Sequence, residues 1–233
     1  QHINLLVSDA SDICACGDSD SISDCTVITI DGLTSTKTLL TIEEHTDAEY
    51  VLLSLKHTPV SLGLHALDRL LRVATDSNAG MVYADCYIQK NGVQEKHPTI
   101  DYQTGSIRDD FDFGQLVLIR ASLLHEYAAK QHLADYKWAG FYDLRLYISR
   151  KSQIFHLNEY LYTQVETDSR KSGERQFDYV NPRNREVQIE MEQAATKHLD
   201  KIGATVDTSK YMKPDYSEQD FTYEASVIIP VFN

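Results

Sequence analysis

The sequence predicts an α/β domain, and two patterns along the chain lead to that fold class. Short apolar runs alternate with longer amphipathic segments, as happens when strands and helices alternate. The run Tyr50-Val51-Leu52-Leu53 shows no polar alternation, which is typical of a strand covered on both faces. With 233 residues, of which 42% are hydrophobic, the chain is long enough to bury a sizeable core.

Six strands are predicted in order along the chain. Each is a short apolar run bounded by polar or turn residues. Their ranges are Ile3–Val7, Thr26–Ile30, Tyr50–Leu55, Gly80–Ile88, Gln115–Ile119 and Gln153–Leu157. The Ser/Asp-rich stretch from Ser8 to Asp24 separates the first two strands, and its composition predicts a surface loop.

Four helices are predicted from apolar residues at helical spacing. Their ranges are Ser61–Thr75, Ala121–Tyr136, Phe141–Ser149 and Arg183–Ile202. The apolar stripe of the first consists of Leu64, Leu67, Leu71 and Ala74. The stripe of the last consists of Val187, Met191, Ala194, Ala195, Leu199 and Ile202. Pro182 suits the first turn of this last helix, and Gly203 suits its C-terminal stop.

The last part of the chain predicts a domain boundary. Residues 204–224 are polar and aperiodic, which is typical of an interdomain linker. The run from Ser226 to Phe232 is apolar and contains Pro230, and it predicts a buried strand that needs neighbours. We therefore expect a domain over 1–203, a linker over 204–224, and the first strand of a second, truncated domain over 225–233.

The charge balance excludes some classes of partner. The formal net charge is −13, and a nucleic-acid binder would need a basic footprint instead. An acidic chain is also disfavoured at an anionic membrane surface, although a local basic patch stays possible. No apolar run reaches the roughly 20 residues that span a bilayer. We expect a cytoplasmic protein, or one peripheral to the inner face of the membrane, with no nucleic acid and no transmembrane segment.

The four cysteines predict no metal or disulfide scaffold. Cys14, Cys16 and Cys25 lie close together, and Cys86 lies apart. Zinc sites usually pair Cys-x-x-Cys or add histidines at fixed spacing, whereas this cluster offers a single Cys-x-Cys. A chain this long does not need disulfide staples. Reduced thiols in a cytoplasmic protein are therefore the interpretation we favour.

The end of the chain resembles a known family. The run Ala225-Ser226-Val227-Ile228-Ile229-Pro230-Val231-Phe232-Asn233 is similar to the first strand of family 2 glycosyltransferases, which opens a nucleotide-sugar-binding domain of GT-A fold. More weakly, the body of the chain resembles the same family, with its elements in the same order. The matching segments are Asp47–Leu55, Ala66–Leu71, Met81–Asp85, Phe113–Arg120, Phe141–Leu146 and Ile154–Tyr162, the last resembling the strand that closes the family's sheet.

The resemblance implies a GT-A-like fold: a mixed, mostly parallel sheet flanked by helices. It also implies a tandem protein that moves a sugar from a nucleotide-sugar to a glycan acceptor. This N-terminal domain would pack against the following glycosyltransferase domain. A plain Rossmann-like nucleotide binder is disfavoured because no Gly-x-Gly-x-x-Gly pattern occurs.

The family's metal-binding motif is missing at its expected place. In the family, an Asp-x-Asp at the carboxyl end of the central strand binds Mg²⁺ or Mn²⁺ beside the diphosphate. Here the matching residues are Leu55, Lys56 and His57. We therefore expect no cofactor in this domain, with Mg²⁺ or Mn²⁺ left to the second domain, and a degenerate domain that only binds an acceptor or partner. In the alternative, Lys56 and His57 neutralise the diphosphate in place of a metal.

Two literal Asp-x-Asp patterns lie elsewhere. They are Asp18-Ser19-Asp20 in the Ser-rich stretch and Asp110-Phe111-Asp112 ahead of a predicted strand. A three-residue pattern is frequent by chance in an acidic chain, so solvated loop carboxylates explain both better than metal sites do.

Other site residues follow from the resemblance. Asp143, at the matching helix start, is the candidate general base that takes the proton of the acceptor hydroxyl. The alternative is that Asp143 caps its helix and is favoured by the positive end of the helix dipole. Trp138 is a candidate for stacking on a sugar, against the alternative of an aromatic core residue. Asp9 would contact the nucleotide base or form a loop turn, and Asp85, at the end of its strand, would contact a ribose or sugar hydroxyl.

Overall fold

A computed structural model describes residues 3–7, 13–15, 25–29, 33–56, 58–130, 133–165 and 185–212, the first three stretches by their backbone only. These residues form one mixed sheet of nine strands. The strands are β1 (Ile3–Val7), β2 (Ile13–Ala15), β3 (Cys25–Thr29), β4 (Tyr50–Ser54), β5 (Val60–Leu62), β6 (Met81–Lys90), β7 (Val93–His97), β8 (Leu116–Arg120) and β9 (Ile154–Val165).

The sheet order explains why it is mixed. The strands follow one another as β2, β5, β9, β6, β8, β4, β1 and β3, while β7 pairs with the far half of β6. In the central part, β3, β1, β4, β6 and β9 run in one direction, and only β8, among these six neighbours, runs against them. The predicted class, an α/β fold with a mixed sheet flanked by helices, is thus confirmed.

Five helices of the described residues cover the sheet. They are α1 (Thr36–Glu44), α2 (Ala66–Ser77), α3 (Ala121–Ala128), α4 (Gly140–Lys151) and α5 (Arg185–Ile202). Helix α2 packs on one face of the sheet, and α1, α3 and α4 pack on the other. Helix α5 packs against α4, where Ala194 and Leu146 share a small apolar cluster.

Strand β4 confirms the prediction made from its apolar run. Tyr50 and Leu52 contribute to the core beneath α2, whereas Val51 and Leu53 contribute to the core beneath α1, α3 and α4. Because successive side chains of a strand point to opposite faces, both faces of β4 must be apolar.

Several predicted strands need correction. The predicted strand Thr26–Ile30 is shifted to β3, and Gln153–Leu157 is much too short, since β9 continues to Val165. Strand β9 does not close the sheet, because β5 and β2 continue beyond it. Strands β2, β5 and β7 were not predicted, and β2 lies inside the stretch from Ser8 to Asp24 that we predicted as a loop.

The predicted helix Ser61–Thr75 begins too early. Val60–Leu62 is strand β5, and α2 starts only at Ala66. Leu64, which we placed on the apolar stripe, lies ahead of the helix and is 64% exposed. His65 at the N-cap adopts a positive φ of 56°, which turns the chain between the strand and the helix.

The predicted helix Ala121–Tyr136 is too long, because α3 ends at Ala128. Tyr136 instead joins α1: its carbonyl accepts from the Thr36 amide at 2.8 Å, and its own amide donates to Thr36 Oγ1 at 3.1 Å. These tertiary bonds replace the helical bonds that the spacing predicted. Helix α1 itself was missed, because only Thr36, Leu39 and Ile42 of its residues are buried.

The last helix is confirmed, and most of its predicted stripe faces the fold, since Met191 and Ala195 pack against the cluster that contains Ala194. Ala194 and His198 are its buried residues, and Ile202 of the predicted stripe is 44% exposed. Gly203 ends the helix with a φ of 71°, as predicted. Residues 204–212 are exposed and contain one 3₁₀ turn, Thr208–Lys210, while Pro182 and the run 225–233 lie outside the described residues. Within the described part, no helix has the length and apolarity to cross a membrane.

Candidate functional site

The carboxyl end of β4 carries a lysine in place of acidic side chains. Lys56 is exposed, and its Nζ donates to Gln164 Oε1 of β9 at 3.3 Å. Ser54 Oγ donates to the carbonyl of Lys56, two residues further along the chain, at 2.9 Å. The side chains at this strand end are therefore engaged with one another, and their charge is positive.

Gln115 connects the residues at this strand end by hydrogen bonds. It is fully buried, and its Nε2 donates to the Thr58 carbonyl at 2.6 Å and to Ser54 Oγ at 3.2 Å. Its Oε1 accepts from Thr58 Oγ1 at 3.1 Å, and its backbone N–H donates to the Tyr162 hydroxyl at 2.8 Å. We missed this residue in the sequence, where a glutamine at the start of an apolar strand is the only signal.

Asp112 is the carboxylate whose charge is coupled to Lys56. It accepts from the Gly114 amide at 2.8 Å and lies 2.7 Å from His97 Nε2. Burial alone would raise the pKa of Asp112, but the Gly114 and His97 bonds and the positive charge of Lys56 outweigh it and lower that pKa. Asp112 therefore holds the loop before β8 and offsets part of the Lys56 charge.

Asp85 is buried in β6 and fixes the chain that follows β7. Its Oδ1 accepts from the Thr99 amide at 2.8 Å and from Thr99 Oγ1 at 3.0 Å, and it lies 2.9 Å from His156 Nε2. His156 Nδ1 lies 2.8 Å from Asp101. The sugar contact that we predicted for Asp85 stays a prediction, since its described contacts are all within the protein.

Asp85 does not end its strand as predicted, because β6 continues to Lys90. The charges of Lys56 and Asp85 both act on the thiol of Cys86. Burial raises the pKa of this thiol to about 11, so Cys86 is a protonated, buried cysteine at neutral pH. The side chains of the other three cysteines lie outside the described part of the chain.

Asp143 lies elsewhere, in the helical layer. It is 4% exposed, and it accepts from the hydroxyl of Tyr127 of α3 at 2.9 Å. No hydrogen bond or ion pair of the described residues joins it to Lys56 or Asp85. Asp143 is not the N-cap of α4, which is Ala139, but it lies in the first turn of that helix, as the dipole part of the capping alternative requires. Its role as a general base stays a prediction.

A basic cavity surrounds Asp143. Its volume is about 650 Å³, and it lies between α4, α5 and the segment after α3. The residues that line it are Lys130, Leu133, Asp143, Tyr147, Arg150, Lys151, Lys197 and Lys201. No pattern along the chain indicates this cluster, because three separate parts of the chain contribute its residues.

Trp138 sits where α5 meets the start of α4. The amides of Lys137, Trp138 and Ala139 donate to the Glu190 carboxylate at 3.2, 2.6 and 3.1 Å. The Trp138 ring is partly buried, with Lys137 Nζ 4.8 Å from its centroid. The sugar-stacking role of Trp138 stays a prediction, whereas the neighbouring Tyr142 is buried in the core.

The remaining predicted residues are less informative. Asp9, His57 and the pattern Asp18-Ser19-Asp20 lie outside the described residues. Asp110 pairs with Arg108 at 2.5 Å, and both are exposed. Within the described stretches, no group of three or more His, Cys, Asp or Glu side chains could hold a metal ion.

Comparisons with known proteins give likenesses of backbone structure only. Searches against protein-family models and against curated proteins both return no match. The structure of S. aureus TarS 1–349 is similar with a TM-score of 0.48 and 9% identity, over 85% of this chain and 81% of that one. S. aureus TarS 1–349 in complex with UDP-GlcNAc gives a TM-score of 0.45 and 8% identity, over 85% and 72%.

Proposed function

We propose that this chain is a GT-A-like domain of a family 2 glycosyltransferase and that it does not itself transfer the sugar. The observation that carries the proposal is the carboxyl end of β4, the edge at which open α/β sheets bind ligands. Exposed Lys56 stands there, beside a neutral network built around buried Gln115. In such a domain, this edge would hold an acceptor glycan or the following domain.

The donor set at this edge does not fit Mg²⁺ or Mn²⁺. Hard divalent cations prefer several carboxylate oxygens, and an ammonium group at the same place repels them. The two nearby carboxylates are already engaged, Asp112 with Gly114 and His97, and Asp85 with Thr99 and His156. This supports a domain without a metal of its own.

The charge at this edge also disfavours transfer without a metal. A lysine that replaced the cation would have to face the diphosphate unpaired. Lys56 instead donates to Gln164 and is partly offset by the Asp112 charge.

Titration of the 233-residue chain with UDP-GlcNAc and with GDP-sugars, with and without Mn²⁺, tests the proposal. We expect that Mn²⁺ leaves any binding unchanged and that no free UDP or GDP is released over hours. Micromolar binding that requires Mn²⁺, or release of the nucleotide, would overturn it.

The metal-independent alternative has its own test in the same titration. It requires that Lys56→Ala weakens UDP-GlcNAc binding at least about tenfold, or about 1.4 kcal/mol, without added metal. Lys37→Ala, which removes an exposed lysine from α1, is the matched control. We expect both variants to behave alike, and a selective loss in Lys56→Ala with release of nucleotide would establish the alternative instead.

A further inference from the structure

The basic cavity between α4, α5 and the segment after α3 carries a charge opposite to that of the whole chain. Among the residues that the structure describes, its lining holds four lysines and one arginine against the single carboxylate of Asp143. This leaves an excess of four positive charges in a chain whose net charge is −13. Such a concentration must be local, because the rest of the surface is acidic.

Among the described residues, no hydrogen bond or ion pair joins the basic side chains of this cavity to a carboxylate. Lys130 Nζ lies 3.3 Å from the centroid of the Tyr147 ring and 4.5 Å from that of Tyr127. Arg150 Nη1 lies 2.6 Å from Nδ1 of His198. The partners of Lys130 are thus two tyrosine rings and the partner of Arg150 is a histidine, whereas ion pairs within a protein would use carboxylates.

Keeping these charges together is costly for the protein. Burial lowers the pKa of Lys130 to about 8, and burial also lowers the pKa of Arg150. Asp143 works against both shifts, but it is one carboxylate and it already accepts from Tyr127. A bound anion would offset this cost of burial, since opposite charge at close range favours the charged forms of both side chains.

We infer that this cavity binds a phosphate-bearing ligand, either a diphosphate or a phosphate ester. Phosphate groups place several negative charges in a small volume, which suits a cluster of ammonium groups around one guanidinium. The volume of about 650 Å³ suits a small molecule rather than a single ion. Asp143, at the wall of the cavity, can accept a hydrogen bond from a hydroxyl group of the ligand.

This inference is independent of the proposed function. The cavity is lined by helices and by the segment after α3, and it shares no lining residue with the edge at Lys56. A silent or an active domain could equally carry it.

Isothermal titration of the 233-residue chain with inorganic pyrophosphate at an ionic strength of about 0.1 M, where the Debye length is about 10 Å, tests the inference. The test variant is Lys197→Glu with Lys201→Glu, two positions on α5 that are partly and fully exposed and should leave folding intact. We expect this double variant to bind pyrophosphate at least about tenfold more weakly, which corresponds to about 1.4 kcal/mol. Circular dichroism checks that both proteins are folded.

The matched control is Lys37→Glu with Lys96→Glu, which makes the same change in net charge at exposed sites on α1 and β7. We expect it to bind pyrophosphate within about twofold of the native chain, because the screened effect of distant charges is small. No pyrophosphate binding at millimolar concentration, or equal losses in both double variants, would overturn the inference.

A second titration, with glycerol phosphate, distinguishes the two sources of the phosphate group. Tighter binding of pyrophosphate assigns a diphosphate, and tighter binding of glycerol phosphate assigns a phosphate ester. Neither double variant touches Lys56, so failure of this test leaves the Mn²⁺ test of the proposed function unaffected.

Discussion

At the scale of single residues, a hydrogen bond from Tyr127 stabilises the buried carboxylate of Asp143, which lies beside several basic side chains. Tyr127 is fully buried and donates to Asp143 Oδ2 at 2.9 Å. A hydrogen bond to a charged group is worth more than a neutral one, and a buried carboxylate that loses its donor keeps its full desolvation cost. The pair therefore links α3 to α4 beneath the basic cavity.

We expect Tyr127→Phe to destabilise the chain by about 2 kcal/mol, because it removes this donor and little volume. Tyr147→Phe is the matched control, since the Tyr147 hydroxyl also donates to a carboxylate at 2.9 Å, that of exposed Glu126. We expect it to cost less than about 1 kcal/mol because water can replace the lost bond. Urea unfolding measures both values, and equal losses would contradict a special role for the buried pair.

At the scale of elements, the start of α4 is held by a carboxylate from α5. Ala139, the N-cap of α4, provides no side-chain acceptor, and Glu190 accepts from three successive amides instead. The positive end of a helix dipole favours a negative charge at this place. The docking of α5 onto the rest of the domain thus depends on a capping interaction supplied from another helix.

We expect Glu190→Gln to lower the free energy of unfolding by about 1–2 kcal/mol, because the charge and one acceptor oxygen are lost. Glu192→Gln removes the same charge from an exposed position of α5 and should cost little. Trp138 is the only tryptophan of the chain, so its fluorescence reports directly on this junction during urea unfolding. An unchanged midpoint and unchanged emission in Glu190→Gln would show that α5 docks without this contact.

The helices and strands that the sequence predicts are those whose buried positions form a regular apolar pattern. Strand β4 and helix α2 have long apolar runs or stripes, and they appear close to the predicted positions. Strand β7 is polar apart from Val93 and exposed apart from its last residue, so no periodicity indicates it. The turn between β6 and β7 does carry a sequence signal, because Asn91-Gly92, with φ of 51° and 80°, is a typical hairpin pair.

The sequence could predict only those site residues whose place is determined by their position along a strand. Lys56 could be placed at the end of β4 because the strand itself was recognised. The association of Asp143 with Lys130 and Lys197 could not be predicted, because it depends on how α5 packs on α4 and on where α3 stops. Spacing along the chain carries no information about contacts between helices that are far apart in sequence.

At the scale of the whole molecule, the charges are unevenly distributed. The chain carries 35 acidic and 22 basic side chains, yet five of the basic ones line one cavity with a single carboxylate. Net charge disfavours a broad basic footprint, but it carries no information about a local one. The pH dependence of stability should reveal this local repulsion.

Lys130 makes that dependence measurable, because burial lowers its pKa to about 8, below the value of about 10.4 for an unfolded lysine. Asp143 opposes the shift, and Arg150, Lys197 and Lys151 add to it. Between these two pH values the unfolded chain binds more protons, so the contribution of Lys130 to stability rises with pH. We therefore expect the native chain to gain stability relative to Lys130→Met between pH 7 and about pH 9.5. Lys37→Met, on the exposed side of α1, controls for the loss of one positive charge. Urea unfolding at both pH values measures the difference, and a difference that stays constant with pH would mean that the Lys130 ammonium is not buried among these cations.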